Sequence, residues 1–381
     1  MGHDGNIVGL WRSLASDAVT VDERRCVVVR NRHASCRACA DVCPTGCIEV
    51  DEGRLRVHRE RCVGCGSCAT ACLSGALRAA APSDDELEQR GLTALDAEGA
   101  LTVTCGRIPS PAGVSVRCLG RVHEGLLAAW AAAGARTIVL RHGPCSTCPL
   151  GRGGAVAEEV GETMNALSRA WGRPSLVTWE EAPVPEVSEK RSSAPQAPSE
   201  ESPLRPSRPK IDGDAAEERE GPARTDPPAP SLPKVGRDGT LPSVVPQRRE
   251  ALLRLVRSWG DPVDSAAVPR LWGAVSIDGD RCRSCRMCAV FCPTGALARS
   301  AEDDDFFGLL HRPALCLQCQ TCQSVCPAGA LTVSDEVSPE DVVGDAVCRI
   351  PLTPPPYQRV GPHSATDAMQ AILGTRAIYE K

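Results

Sequence analysis

Residues 282–297 read CRSCRMCAVFCPTGAL, and residues 316–331 read CLQCQTCQSVCPAGAL. Both have the spacing C-x2-C-x2-C-x3-C-P. Three cysteines in one tight loop can surround a single polynuclear metal group, while the fourth opens a short helix aimed elsewhere. Pro293 and Pro327 set the chain direction after that fourth cysteine. In tandem runs of this kind the fourth cysteine of each serves the other site. One expected set is therefore Cys282, Cys285, Cys288 and Cys326, and the second is Cys316, Cys319, Cys322 and Cys292. Zinc ribbons also use C-x2-C pairs, but two tandem runs with C-P endings argue against zinc.

On these runs, residues 272–333 resemble a bacterial-type two-cluster ferredoxin domain. The resemblance implies two [4Fe-4S] clusters and a role in electron transfer. Arg283 and Arg286 stand between ligands of the first run. Their positive charge would raise that cluster's potential by favouring the more negative reduced state.

A divergent copy occupies residues 21–81. Its second half, CVGCGSCATACLSGAL from Cys62, keeps four cysteines but carries Leu73 where proline is usual. Its first half, HASCRACADVCPTGC, places His33 at the first ligand position. The crossing rule predicts one site from Cys62, Cys65, Cys68 and Cys43. The other has Cys36, Cys39 and Cys72, and its fourth ligand is open among Cys26, His33 and Cys47, with a three-iron site as a further reading. Cys26 lies before a strand-like VVVR that would fold it back.

Between the copies, residues 92–180 alternate strand-like and helix-like text, the pattern of a small parallel α/β domain. Cys105, Cys118 and Cys145 each fall at or just after the carboxyl end of a strand, and Cys148 follows closely. Ligands of open α/β sheets bind at that edge. The text VRCLGRVHEGLLAAWAAAGARTIVLRHGPCSTC resembles the iron–sulfur delta subunit of methyl-viologen-reducing hydrogenases. That resemblance implies a [2Fe-2S] cluster and electron passage between a hydrogenase or formate dehydrogenase and a heterodisulfide-reductase-like flavoprotein. Cys118, Cys145 and Cys148 match the family pattern, whereas Cys105 matches in part. Zinc, or no metal at all, stays open here. Arg107 and Arg121 are candidate donors to cluster sulfurs or members of surface salt bridges, His142 is a candidate ligand, and Cys348 reads as a plain thiol.

The expected architecture is α+β and α/β multidomain. Two dicluster modules and the parallel α/β domain are joined by a disordered Pro-rich linker over residues 181–248, and residues 334–381 form a tail. The linker's flexible reach is about 45 Å. Beyond it, REALLRLVRSW (249–259) places apolar residues on one helical face.

The 381 residues include 22 cysteines and only 3% aromatics, which favours several small units over one large core. The N-terminal text lacks the order of a signal peptide, and no apolar run approaches the ~20 residues of a membrane span. A cytoplasmic protein with thiols available for iron is expected. The net charge of −5 and the anionic clusters make nucleic acid an unlikely partner class, leaving redox proteins as donor and acceptor. No dinucleotide fingerprint or phosphate loop is present, Gly151–Gly154 reading as a turn. Alternative readings are thiol, disulfide or sulfur reduction at Cys145 and Cys148, or a cluster-bearing assembly or regulatory scaffold.

Overall fold

Short strands and single-turn helices make up the first cysteine-dense module: β1 (Val19–Val21), α1 (Val27–Arg30), α2 (Ala38–Asp41), β2 (Ile48–Asp51), β3 (Arg54–Val57), α3 (Ser67–Ala71) and β4 (Leu77–Ala79). The computed structural model describes residues 18–109, 113–184, 241–300 and 306–354. These fall in one packed unit. Strands β1 and β4 pair antiparallel and β2–β3 is a hairpin. VVVR is a helical turn rather than a strand, because Arg30 and Asn31 donate back to the carbonyls of Cys26 and Val27. That i→i−4 closure overrides the β preference of valine.

The next elements are α4 (Asp84–Ala94), β5 (Ala100–Cys105), β6 (Val114–Val116), α5 (Glu124–Ala132), β7 (Thr137–His142), α6 (Arg152–Ala170) and β8 (Val177–Glu181). The strands form one parallel sheet in the order β6-β5-β7-β8, as the alternating text predicts. Helix α4 starts on a capping box between Ser83 and Glu86. Helix α5 starts on His123, whose Nδ1 accepts from the backbone of Gly125 and Leu126. Helix α6 buries Val156, Val160, Met164 and Leu167, a stripe at helical spacing.

Helix α7 (Gln247–Trp259) follows, then β9 (Ala274–Ile277), α8 (Met287–Val290), β10 (Leu297–Arg299), β11 (Gly308–His311), α9 (Thr321–Ser324), β12 (Leu331–Ser334), α10 (Pro339–Val343) and β13 (Cys348–Pro351). Strand β9 pairs with β12 and β10 with β11, repeating the scheme of the first module. Helix α7 does not pack on the C-terminal module alone. Its Leu252, Leu253, Leu255 and Val256 enter the core of the parallel-sheet domain, which also takes in Trp272, Val337 and Val342. Each such side chain contributes about 1.5–3 kcal/mol by burial, so one apolar core spans the two regions.

Most of the expected linker, residues 185–240, lies outside the described residues. Its end is packed: Leu241 and Val244 donate to the carbonyls of Val290 and Pro293. The expected tail also begins later than residue 334. Strand β13 extends the β10–β11 sheet by pairing with β11, which covers an edge that would otherwise leave backbone groups unpaired. Among the described residues no helix is long and apolar enough to cross a membrane.

Candidate metal centres

The loops of the three intact cysteine runs share one backbone device. Left-handed φ recurs at the same two positions, at Gly64 and Gly66, at Ser284 and Arg286, and at Gln318 and Gln320. Outside glycine this conformation costs about 1–2 kcal/mol per residue, a strain expected where a loop must wrap a ligand. The structure brings Cys282, Cys285, Cys288 and Cys326 together: burial and the charges of the other three push Cys288 up to about 12. Cys316, Cys319, Cys322 and Cys292 gather likewise, and burial with its neighbours Cys319 and Cys292 puts Cys316 at about 12. Arg283 and Arg286 line the first of these sites. The Arg286 guanidinium is held 4.2 Å above the Phe307 ring.

In the N-terminal module, Cys62, Cys65, Cys68 and Cys43 form one group, in which burial and the other three raise Cys68 to about 12. Cys47 joins this group, not the other: its Sγ lies 3.5 Å from that of Cys43. A hydrogen bond from Cys47 to Cys62 lowers Cys62 to about 6. The other group is Cys36, Cys39, Cys72 and Cys26. Burial raises Cys26, whose neighbouring thiols are Cys72 and Cys36. The fold-back is made by helix α1, with Cys26 as its N-cap. His33 is exposed, its backbone N–H donating to Asn31 and its Nε2 accepting from Arg32 at 3.5 Å. It does not join the cysteines.

Cys105, Cys118, Cys145 and Cys148 converge at the carboxyl edge of the parallel sheet and line one cavity of about 770 Å³ with His142 and Trp179. The opening of α6 makes room for them. A Cβ at Gly153 would collide with the Cys118 sulfur, and one at Gly154 would lie 2.7 Å from that of Cys145. The glycines expected to mark a turn thus form a cradle for sulfur. The His142 Nδ1–H donates to the Gly143 carbonyl at 2.8 Å, and the same nitrogen lies 3.9 Å from the Cys145 sulfur. Arg121 is neither on the surface nor aimed at this edge. It is buried and pairs with Asp84 at 2.5 Å. Cys348 is exposed on β13.

Neighbouring groups adjoin in sequence. A Cβ at Gly153 would meet both the Cys118 sulfur and Ser67 of the Cys62–Cys68 loop. Cys39 and Cys68 lie in one apolar cluster with Cys319 packed against it, and Cys288, Cys292, Cys322 and Cys326 share another. These contacts link the five groups in one file. It runs from the sheet edge through the two N-terminal groups to the inner and then the outer C-terminal group.

The four groups of the two cysteine-dense modules fit iron–sulfur clusters. The crossing sulfurs each accept a backbone N–H: Cys43 from Cys47 at 3.3 Å, Cys72 from Leu77 at 3.4 Å, Cys292 from Leu297 at 3.4 Å and Cys326 from Ala330 at 3.3 Å. Such bonds favour thiolate and tune cluster potential. Buried Arg30 and the hydroxyls of Ser67 and Thr70 carry donor atoms with no partner among the described residues. Cluster sulfur is an acceptor they lack. No group of three or more His, Cys, Asp or Glu among the described residues is spaced for a single metal ion. A cluster spreads its irons and asks for a wider set. All 22 cysteines are described, and none forms a disulfide.

Two segments, residues 34–76 and 281–330, match the family described as a 4Fe-4S dicluster domain. The first match begins after Cys26, so the pairing of Cys26 with Cys36, Cys39 and Cys72 comes from the fold. No curated protein matches the chain.

Proposed function

We propose that the protein is a multicentre electron conduit, a subunit or soluble partner of a larger oxidoreductase of the hydrogenase, formate dehydrogenase or heterodisulfide-reductase-like kind. Its two 4Fe-4S dicluster domains support an iron–sulfur electron-transfer role. The observation that carries the finer reading is the single file of five cysteine groups. When bound, each cluster supplies a reversible one-electron couple. The chain's own residues hold the clusters, place them in order and supply N–H groups that offset negative charge. In this reading the ligands are Cys282, Cys285, Cys288 and Cys326; Cys316, Cys319, Cys322 and Cys292; Cys62, Cys65, Cys68 and Cys43; and Cys26, Cys36, Cys39 and Cys72. Cys105, Cys118, Cys145 and Cys148 hold a fifth group, a [2Fe-2S] cluster.

The two ends of the file differ from its middle. At one end the 770 Å³ cavity leaves room beyond a small cluster for a group presented by a partner. At the other, Cys285 is exposed. These are the places where a donor and an acceptor would dock, in a reducing compartment such as the cytoplasm. The resemblance of the sheet domain to hydrogenase delta subunits supports the same assignment. Its strands, the C-x-G-R turn at Cys118 and the pair Cys145/Cys148 all meet at one edge.

Thiol or sulfur reduction at Cys145 and Cys148 is less well supported. Cys145 opens a short 3-10 turn, whereas the long helix begins only at Arg152. Burial and the adjacent Cys105 and Cys148 raise the Cys145 thiol instead of activating it.

The test is anaerobic iron and sulfide analysis with electron paramagnetic resonance (EPR) of the dithionite-reduced protein. About 16 irons from four cubane sites, plus those of the fifth, are expected. Clusters that no low-potential donor reduces would instead indicate a scaffold.

A further inference from the structure

The dicluster domains are far apart in sequence, yet Cys319 of the second packs against the apolar cluster that holds Cys26 and Cys39 of the first. Arg30 closes α1 at this junction and is only 7% exposed. Its Nη1 donates to the carbonyls of Arg24 at 3.2 Å and Pro242 at 2.7 Å. Its Nε and Nη2 have no hydrogen-bond partner among the described residues, and no carboxylate there pairs with it. Pro242 belongs to the stretch whose neighbours Leu241 and Val244 bond the backbone beside Cys292. Arg30 shares a small cleft with Pro293 and Thr294, next to Cys292; burial lowers its guanidinium, and Cys292 and Cys319, both in the other domain, oppose that shift.

A buried guanidinium without a counter-charge is strongly unfavourable, and so is a buried donor without an acceptor. A four-thiolate cluster answers both needs. It is anionic, and its sulfurs accept hydrogen bonds. The first turn of α7 straddles the same junction, with Arg248 donating to the carbonyls of Thr70 and Cys72 and Arg249 to that of Cys316. Cys72 and Cys316 belong to the two facing groups.

We propose that Arg30 of the N-terminal domain is the counter-cation of the Cys292/Cys316/Cys319/Cys322 site in the C-terminal domain. The junction it completes is the third of the four links in the five-centre path. This rests on the electron-transfer reading above and adds to it the crossing point between the domains. Arg30 is a positioning and potential-setting residue, not a ligand. The charge it supplies favours the reduced, more negative state of that one site.

The test is an anaerobic redox titration of the full chain followed by EPR, with iron counted in each sample. Arg30→Gln is expected to keep its iron and to move one [4Fe-4S] midpoint to lower potential while the others stay. Arg30→Lys, which keeps the charge, is expected to restore most of the shift. Unchanged midpoints, a common shift of all of them, or no rescue by lysine would overturn the proposal. If Arg30→Gln loses iron, line widths decide instead. In fully reduced wild type the inner C-terminal signal should be broadened by its N-terminal neighbour, and Cys39→Ala should narrow it; an unchanged width overturns the junction. A wild type with no reducible cluster would defeat the electron-transfer reading itself. Reducible clusters with an unshifted Arg30→Gln would defeat only this inference.

Discussion

Arg249, buried at the start of α7, donates through Nη2 to the backbone carbonyl of Cys316 at 3.3 Å. Burial lowers its guanidinium to about 10, while Cys316 and Glu124 oppose that shift. The bond ties a helix whose apolar face lies in the parallel-sheet core to the first cysteine of a metal loop. Arg249→Gln should lower stability by about 1.5–3 kcal/mol, the range for a hydrogen bond to a charged group. Differential scanning calorimetry should show the lower Tm, and iron should be lost first from the site at Cys316.

Cys26 and His33 make opposite predictions. Cys26→Ser should cost the protein iron from one N-terminal site, because the side chain is buried with Cys36 and Cys72. His33→Ala should leave the iron count unchanged, since the ring is exposed. Iron analysis of the two variants side by side decides the fourth ligand. Iron loss in His33→Ala would reverse the assignment.

Arg283 and Arg286 line the outer C-terminal site. Replacing both by glutamine should lower the midpoint of that site alone, because the reduced state loses two nearby positive charges. Stacking on Phe307 holds Arg286 in place, so its share should exceed that of exposed Arg283. A potentiometric titration with no displaced midpoint would rule this out.

Gly153→Ala should empty the sheet-edge site and spare the C-terminal dicluster domain. The added Cβ meets the Cys118 sulfur and comes within 2.8 Å of the Ser67 hydroxyl in the first module. A partial drop in iron, with the C-terminal [4Fe-4S] signals intact, is the expected result.

Asp84, at the start of α4, ties that helix to the segment before α5 through Arg121 and His123. Burial raises its carboxyl, but the hydrogen bond from His123 and the charge and hydrogen bond of Arg121 outweigh it, so the folded pKa lies well below the ordinary value. A depressed carboxylate contributes stability above its unfolded pKa and loses it as pH falls through the folded one. Partial exposure limits the contribution to about 1 kcal/mol. Asp84→Asn should therefore lower stability at pH 7 and flatten the acid limb of the curve. Urea unfolding followed by tryptophan fluorescence would register both, since Trp130 bonds the Glu88 carbonyl on the adjoining helix.

The cysteine runs were legible in the text because a C-x2-C-x2-C loop is local: its spacing alone limits which three sulfurs can face one ligand. The strands leading to Cys105, Cys118 and Cys145 were legible for a similar reason, since alternating helix and strand patterns place successive carboxyl ends on one sheet edge. Local pattern failed at VVVR, where a backbone turn outcompeted side-chain preference. It also failed at Arg121, whose pairing with Asp84 depends on how α4 packs beside the segment before α5. The placing of Cys47 beside Cys43 and of Cys319 beside Cys36 was likewise out of reach, and the choice of Cys26 over His33 and Cys47 beside Cys72 was left open. So was Arg30, which reads in the sequence as an ordinary cation at the end of an apolar stretch. Spacing along the chain governs contacts within a loop, where few conformations are available. Contacts between loops follow from how buried surfaces of separate modules fit together, and that fit sets the order of the five sites.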